Sequence, residues 1–460
     1  MTSQVQALVV GGGISGLVCA YALQKAGVEV QLVEASKRPG GVICSTTRDG
    51  FLLELGPQSF SGTAQIRQLC EDLGISDQVV QAPPHAPRYV LIDGQLRPVP
   101  LSPPAFFASS LINCATKWAL LRDIFGKSFP PDADESVAAF VCRKFSPQLL
   151  DRLVGPFVSG IYAGDPERLS VRSAFPQLYE AEKSAGSIVR GMMRLARSKK
   201  GPRERPTLQT FRDGNETLVR ALTSRLGPAL LTETYVTAVS RQVDGSFALR
   251  LNRHGREESA SSRFLILATP TEVMGKLLSP LDSSVESLLT SVQYAAVAVV
   301  SLGYRQSDVG HSLDGFGFLV PRSSGLRVLG TVWNSSLFPG RAPEGHALLT
   351  SFAGGATDPA AAKLSHEELA SLVHDEISAL LSMKSAPVFS NVTIWPRALP
   401  QYNLGHGERL AALANACSRL PGLWLAGNYL RGPAIGSCIE QAFAVAEQVN
   451  EQFSGQDFLR

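Results

Sequence analysis

The sequence predicts a mixed fold, α/β toward its two ends and α+β between them, and three observations carry that expectation. At the N-terminus a short apolar run, Gln6–Val10, enters Gly11-x-Gly13-x-x-Gly16, and a helical pattern and a second apolar run, Val28–Val33, follow. In the middle, apolar runs of strand length recur at Val292–Gly303, Phe316–Val320, Val328–Val332 and Ala347–Phe352, which suggests an antiparallel sheet. Near the C-terminus another strand, in Leu423–Asn428, enters a glycine loop ahead of a helix over Ser437–Val449.

The N-terminal unit is the most specific of the three. Gly11 allows a tight turn, Gly13 lets the backbone approach a pyrophosphate, and Gly16 lets helix and strand pack closely. The helix N-terminus offers free N–H groups and partial positive charge to phosphates. The helix stops at Gly27, and the second strand ends in Glu34, where an acid can hold a ribose hydroxyl pair. These features predict a dinucleotide site. NAD and FAD share the unit, so the next residues decide between them. Arg38-Pro39-Gly40-Gly41 resembles the second glycine motif of the FAD-dependent amine-oxidase superfamily. A guanidinium there suits a phosphate, and the glycine pair lets the chain turn back over the cofactor.

Composition limits the alternatives. The chain of 460 residues is long enough for two or three domains, and a net charge of +3 gives no argument for nucleic acid. Seven scattered cysteines with no C-x-x-C pair fit a reducing compartment rather than a disulfide framework. The N-terminus lacks the basic region of a signal peptide. The longest unbroken apolar stretch, Tyr294–Leu302, is about half a membrane span. No transmembrane helix is expected.

Along the chain, Arg48–Phe51 reads as a hairpin turn, and Glu54-Leu55-Gly56-Pro57-Gln58-Ser59-Phe60 as a turn suited to a flat ligand. Ala64–Leu73 is an amphipathic helix closed by Gly74. Pro-rich Ala82–Pro87 marks a boundary, Arg88–Ile92 a strand headed by a cation, and Asp93-Gly94 a hairpin. Leu96–Pro104, with four prolines, is expected to be extended. Phe106, Phe107, Leu111 and Ile112 form an apolar patch near Trp118, either helical core or a membrane-contacting helix pair. A helix is expected after Asp134-Glu135-Ser136, Phe157–Pro166 ends in a loop, and Leu169-Ser170 leads to a further helix. Arg190–Arg205 holds seven basic residues and one acid, a solvated run or an attraction to anionic lipid. Strands are expected over Glu233–Val239, Phe247–Leu251 and Phe264–Ala268, and Ala268-Thr269-Pro270, which ends the last of them, resembles the segment that leads the chain out of a dinucleotide domain in that superfamily. His366-Glu367-Glu368 and His374-Asp375-Glu376 look metal-like but suit the solvated face of a helix, and no metal site is expected.

Taken together, GGGISGL, ELGPQSF, FVSGIYAGDPERLSVRSAFPQLYE, GFGFLVP, ALPQYNLGH and LAGNYLRGPAIGSCIEQA resemble the protoporphyrinogen oxidase family, over nearly the whole chain. The plant-plastid and cyanobacterial type is the nearer one. Two departures are Pro433-Ala434-Ile435, where relatives often carry Gly-Val-Ala-Val, and Val332, where plant relatives often carry leucine.

The resemblance implies a Rossmann-like FAD domain, a mixed-sheet substrate domain and a helical membrane-binding insertion. The corresponding division is 1–87, 206–270 and 391–460 for the FAD domain, 88–205 for the helical insertion and 271–390 for the substrate sheet. It implies non-covalent FAD held by Gly11, Gly12, Gly13, Ile14, Ser15, Gly16, Glu34, Ala35, Arg38, Gly41, Gly56, Pro57, Gln58, Ser59, Val236, Gly427, Asn428, Pro433, Ala434 and Ile435. Arg88 is implied to hold a substrate propionate, Leu319, Val332 and Phe352 to sandwich the macrocycle, and Ala163 and Gly164 to lie along the cavity. The implied reaction is oxidation of protoporphyrinogen IX by repeated hydride transfer to FAD, with molecular oxygen as acceptor. No side-chain base is named; His406 is the histidine nearest a functional motif. A cytoplasmic protein held peripherally at a membrane surface, with a homodimer as a candidate assembly, completes the expectation.

Overall fold

The computed structural model describes residues 2–100, 103–198 and 207–457. Its first sheet has seven strands, ordered Leu230–Leu231, Val30–Val33, Thr2–Val10, Arg256–Leu267, Phe247–Arg253 and Thr234–Arg241, with Leu423–Leu425 also beside Arg256–Leu267. Thr2–Val10 runs parallel to both neighbours. Its apolar run is buried on both faces, as a covered parallel strand must be. Ala7 and Val9 pack with Leu17, Val18, Ile439 and Val445 on one face. Leu8 and Val10 pack with Met274, Leu278 and Leu413 on the other. The sheet therefore draws its strands from three separate stretches of the chain.

The second sheet also has seven strands, ordered Phe389–Pro400, Tyr294–Arg305, His346–Gly354, Val328–Trp333, Gly317–Leu319, Arg88–Ile92 and Gln95–Pro98. All pairings are antiparallel except that of Gly317–Leu319 with Arg88–Ile92. Two edges of the expected division move. The hairpin 88–98 joins this sheet rather than the helical stretch, and Phe389–Pro400 carries the sheet past the expected limit at 390. That strand contains Pro396, which an edge strand tolerates because one side of its backbone needs no ladder partner. One face of the sheet is closed by helix His366–Leu381, whose Leu369, Val373 and Ile377 pack against Val300, Phe318 and Trp333. A capping box formed by Ser365 and Glu368 starts that helix.

Between Cys114 and Ser198 the chain is helical, with Val137, Phe140, Val141, Val158 and Tyr162 in its core. A charge network crosses it. The buried Lys144 reaches Asp123 at 2.7 Å and Glu182 at 3.3 Å, while Arg143 binds both Glu135 and Glu182 through paired hydrogen bonds. Leu111 and Ile112 are buried in cores, which settles their half of the apolar patch as packing. The exposed large apolar side chains of this stretch are instead Trp118, Phe125 and Phe129, Phe157 and Ile161 on helix Gly155–Tyr162, and Met192 and Met193 on helix Ile188–Ser198. The basic run is described only to Ser198; its remainder, through Arg205, lies outside the described residues, as do Leu101 and Ser102 of the expected extended segment.

Candidate active site

The glycines of the first turn fall into two kinds. A Cβ at Gly16 would lie 1.9 Å from the carbonyl oxygen of Gly11, and one at Gly11, where φ is +106°, would lie 2.7 Å from that of Ala268. Both are demanded by the protein's own packing. A Cβ at Gly13 would meet nothing within 4 Å, and its φ of −69° is ordinary. Nothing in the protein requires glycine there, so the space beside this helix N-cap is what a phosphate group would fill. Gly13 caps helix Ile14–Lys25 without a side-chain acceptor.

The rest of the cradle closes on this turn. Glu34 accepts from the amide of Gly12 at 2.6 Å and from both the amide and hydroxyl of Ser36. Thr234, two residues before Val236, donates its amide to the Glu34 carbonyl. Ala35 is exposed beside it. The amide of Gly40 donates to the carbonyl of Gly12 at 2.7 Å, so the two glycine turns are laced together with Gly41 against Gly13. A second helix N-terminus arrives from the other end of the chain. Helix Ile435–Asp457 packs on Ile14–Lys25, and the thiol of Cys438 donates to the Gly432 carbonyl at 3.8 Å. Ahead of that helix, Gly427 and Gly432 adopt φ of 151° and 149°, and Ala434 is exposed between the half-buried Pro433 and the buried Ile435.

Two expected cofactor contacts are engaged elsewhere. The Arg38 guanidinium donates to the carbonyls of Pro39, Gly41 and Ile43 and lies 3.6 Å from Glu216. It therefore clips the glycine loop in shape rather than reaching toward a phosphate. The side chain of Gln58 is buried, donating to the carbonyls of Glu54 and Gly56 and accepting from Asn334. It leaves only backbone, with Gly56, Pro57 and Ser59, to face a ligand. Packing fixes Gly56, whose Cβ would lie 2.0 Å from the carbonyl of Val42.

Beneath that loop is an ion pair that carries no motif. Arg341 and Glu54, both essentially fully buried, meet at 2.9 Å. Glu54 also accepts from Ser45 and from the Asn215 amide, and Arg341 donates to Thr210. Burial pushes the Glu54 carboxyl up, against the pull of Arg341 and these hydrogen bonds. Trp395, from the edge strand of the second sheet, donates its indole N–H to the Leu55 carbonyl at 2.6 Å. The cradle and the second sheet are thus joined through residues 54–58.

The second sheet's other face, open only at Arg88 and in part at Leu319 and Phe352, gathers the expected substrate residues by register, Val332 and Thr350 being buried. Arg88, Gly317, Val332 and Thr350 lie side by side in one cross-strand row; Val90, Leu319, Gly330 and Phe352 form the next row on the same face. Successive residues alternate faces, so Phe318, Trp333 and Thr331 point the other way. Helix Gly155–Tyr162 lies over this face, and a Cβ at Gly160 would come within 2.6 Å of Leu319. The helix ends at Ala163, which takes a left-handed φ of 46° and accepts from the Ala356 amide at 2.7 Å. Gly164 follows, next to the amide oxygen of Gln401. Arg88 is exposed, its guanidinium 5.5 Å from the centre of the Phe316 ring, and among the described residues it makes no ion pair. A separate depression of about 770 Å³, lined by Leu91, Asp151 and Glu376 among others, contains none of these residues.

Arg341, Asn334 and Trp395 went unnoticed in the sequence. Each is a single residue in an unremarkable stretch whose partner lies more than 250 positions away, and no local pattern could have signalled it.

A protoporphyrinogen oxidase, chloroplastic, from Oryza sativa subsp. japonica is 35% identical over 96% of this chain and 88% of its own length. A coproporphyrinogen III oxidase from Bacillus subtilis is 30% identical over 97% of this chain and 98% of its own. A crystal structure of a candidate protoporphyrinogen oxidase from Exiguobacterium sp. 255-15 superposes with a TM-score of 0.80 at 24% identity, covering 98% of this chain and 100% of that one, which supports the fold. The model of the flavin containing amine oxidoreductases matches residues 14–450, and this chain, with FAD as its cofactor, belongs to that family.

Proposed function

We propose that the protein oxidises protoporphyrinogen IX to protoporphyrin IX, with oxygen as the final electron acceptor. The observation that carries this reading is the open sheet face, where one cation, Arg88, stands at the margin of an apolar surface made by Leu319, Val332 and Phe352. A flat macrocycle with carboxylates at its edge matches that surface. Arg88 binds a propionate through two parallel hydrogen bonds. Leu319, Val332 and Phe352 flank the ring and exclude water, and the backbone of Ala163 and Gly164 lies along it. Bound FAD supplies the acceptor for hydride from the bridging carbons. The two converging helix N-termini, Ile14–Lys25 and Ile435–Asp457, orient the cofactor's negative groups. The chain's contribution is placement, and no side chain need act as a base.

The cofactor is held without a covalent bond. Cys438 is the thiol nearest the C-terminal loop, and burial pushes it up to about 11, which leaves it protonated and unreactive. The relative from Bacillus subtilis supports a second reading, coproporphyrinogen as substrate. That molecule carries four carboxylates, and the two rows of the open face offer a single guanidinium. Aerobic incubation with each porphyrinogen, reading porphyrin fluorescence, tests both. Faster turnover of coproporphyrinogen, or of neither, would overturn the proposal.

The membrane reading also moves to new residues. Among the described residues no helix is long and apolar enough to cross a membrane. Trp118 and Phe125 are exposed on helix Cys114–Phe125, with the exposed Arg122 and Lys127 close by. The adjoining helix Ile188–Ser198, tied to it by Arg190 donating to the Ile124 carbonyl, exposes Met193 and Arg194. Apolar side chains among cations suit the surface of an anionic bilayer. Trp118→Ser with Phe125→Ser should abolish co-flotation with vesicles containing phosphatidylglycerol; unchanged flotation would reject this patch.

A further inference from the structure

One six-residue segment touches both ligand loops at once. Gln401, Tyr402 and His406 are each almost completely buried, yet each spends a polar atom on a carbonyl of another segment. Gln401 Nε2 donates to the Tyr162 carbonyl at 2.9 Å, one residue before the left-handed Ala163. The Tyr402 hydroxyl donates to the Asn428 carbonyl. His406 Nε2 is 2.9 Å from the Tyr429 carbonyl, which can only accept, so this nitrogen carries the proton. The rings of Tyr402 and His406 are stacked, 4.5 Å apart and 8° from parallel. The segment is itself held from two sides: Ser170 donates its amide to the Tyr402 carbonyl, and Gly405 donates its amide to Asp134.

Asn428 and Tyr429 lie in the turn between Gly427 and Gly432, whose backbone conformation at both ends only glycine adopts freely. A four-residue helix cannot satisfy its own carbonyls, so without outside donors this turn has no fixed shape. The donors come from one rigid, stacked pair. We infer that Tyr402 and His406 are positioning residues: they set the height of the 427–432 loop over the flavin, and through Gln401 they tie it to the loop at Ala163–Gly164. Neither acts as an acid or base, because both side chains face protein carbonyls and neither faces the open sheet face. A consequence is that flavin and macrocycle are spaced by one common strut.

The inference rests on the 427–432 loop facing the flavin, and the experiment separates failure of that assignment from failure of the strut. Ala434 is exposed, so Ala434→Arg should fold normally but fail to take up FAD. Parent-like FAD content in Ala434→Arg would remove the loop assignment itself. Tyr402→Phe keeps the stacked ring and deletes only the donor, so it avoids a packing defect. Its FAD dissociation constant, from flavin fluorescence on titrating apoprotein, should rise about tenfold, the usual effect of leaving a buried carbonyl unpaired. His406→Phe should behave likewise and shift the flavin absorption bands. His406→Gln retains an N–H at a similar reach and should stay within about threefold of the parent. A base would not tolerate glutamine. If Tyr402→Phe binds FAD like the parent with an unchanged spectrum, or if His406→Gln is as impaired as His406→Phe, the strut is rejected.

Discussion

The cofactor cradle and the open face of the second sheet are built on opposite plans. The cradle is defined by backbone: Gly11 and Gly16 are fixed by contacts under 3 Å, and Gly13 by open space. Most of it comes from one contiguous run, closed by a second run near the C-terminus. The open face is defined by side chains on four strands that start at residues 88, 317, 328 and 346. Neighbours in a row come from different strands, and Arg88 pairs with a residue from a distant part of the chain, Gly317. A site made of backbone can be recognised from glycine spacing, because only glycine permits such approaches. A site made of side chains becomes visible only once register is known.

The largest effects should come from the cradle, and they should split by glycine. Gly16→Val places atoms where the Gly11 carbonyl already is, so we expect no soluble folded protein. Gly13→Val meets open space at an ordinary φ, so it should fold with an unchanged melting temperature as apoprotein. Its FAD affinity should fall by about a hundredfold, near the upper end of what overfilling a packed contact costs. Equal damage to apoprotein folding by both substitutions would erase the distinction between packing and ligand glycines.

The junction between the two plans should be next. Arg341→Met strands the Glu54 carboxylate in a buried site, at a cost of about 3–5 kcal/mol. Urea denaturation would read that loss. Adding Glu54→Gln should restore part of it, since the uncompensated charge is then gone. A loss under about 1 kcal/mol, the range of a surface pair, would mean water reaches the site.

How much of this was readable in advance follows the same division. The Rossmann-like turn, its helix, the hairpin at Asp93-Gly94 and the antiparallel sheet were legible from glycine placement and apolar runs. Arg38 was legible as belonging to its loop but not in its role, because spacing does not reveal which way a guanidinium folds. Leu111 and Ile112 were ambiguous because periodicity does not separate a core from a membrane-contacting helix; they lie buried in the bend between helices Pro103–Ala108 and Cys114–Phe125, where only neighbours decide. Phe389–Pro400 was missed because Pro396 and exposed Arg397 break the strand pattern that an edge position permits.

On the open face, effects should be smaller and confined to turnover. Arg88 makes no ion pair among the described residues, so Arg88→Ala should leave FAD content and melting temperature nearly unchanged. Loss of a charge-assisted contact, about 1.5–3 kcal/mol, should lower kcat/KM by roughly ten- to a hundredfold. Most of that should appear in KM if the contact is equally strong in ground and transition states. Arg88→Lys should recover only part, because an ammonium lacks the planar fork. Parent-like kinetics in Arg88→Ala would mean that the cation at the edge of this face does not meet the substrate.

The smallest effect should come from a single proton at the boundary of the cradle. Burial holds His406 below the ordinary histidine range, and Arg409 pushes the same way, while the Tyr429 carbonyl and Asp134 pull against them. Tyr402 stacks on its other side and carries no charge, burial keeping its phenol protonated. With the folded-state value depressed, the unfolded chain takes up the proton first as pH falls. The neutral histidine therefore contributes its full stability above about pH 6.5, the unfolded value, and loses it progressively below that. Glutamine at this position donates the same hydrogen bond without titrating. The melting temperatures of parent and His406→Gln should therefore run parallel from about pH 7 to 8, and the parent should fall faster below about pH 6.5. Carboxylates titrate in both proteins and cancel in the difference. If the two curves stay parallel down to about pH 5, protonated His406 is tolerated and the carbonyl and Asp134 outweigh burial. A parent that instead gains on the variant in acid would reverse the sign and make His406 a cation held by Asp134.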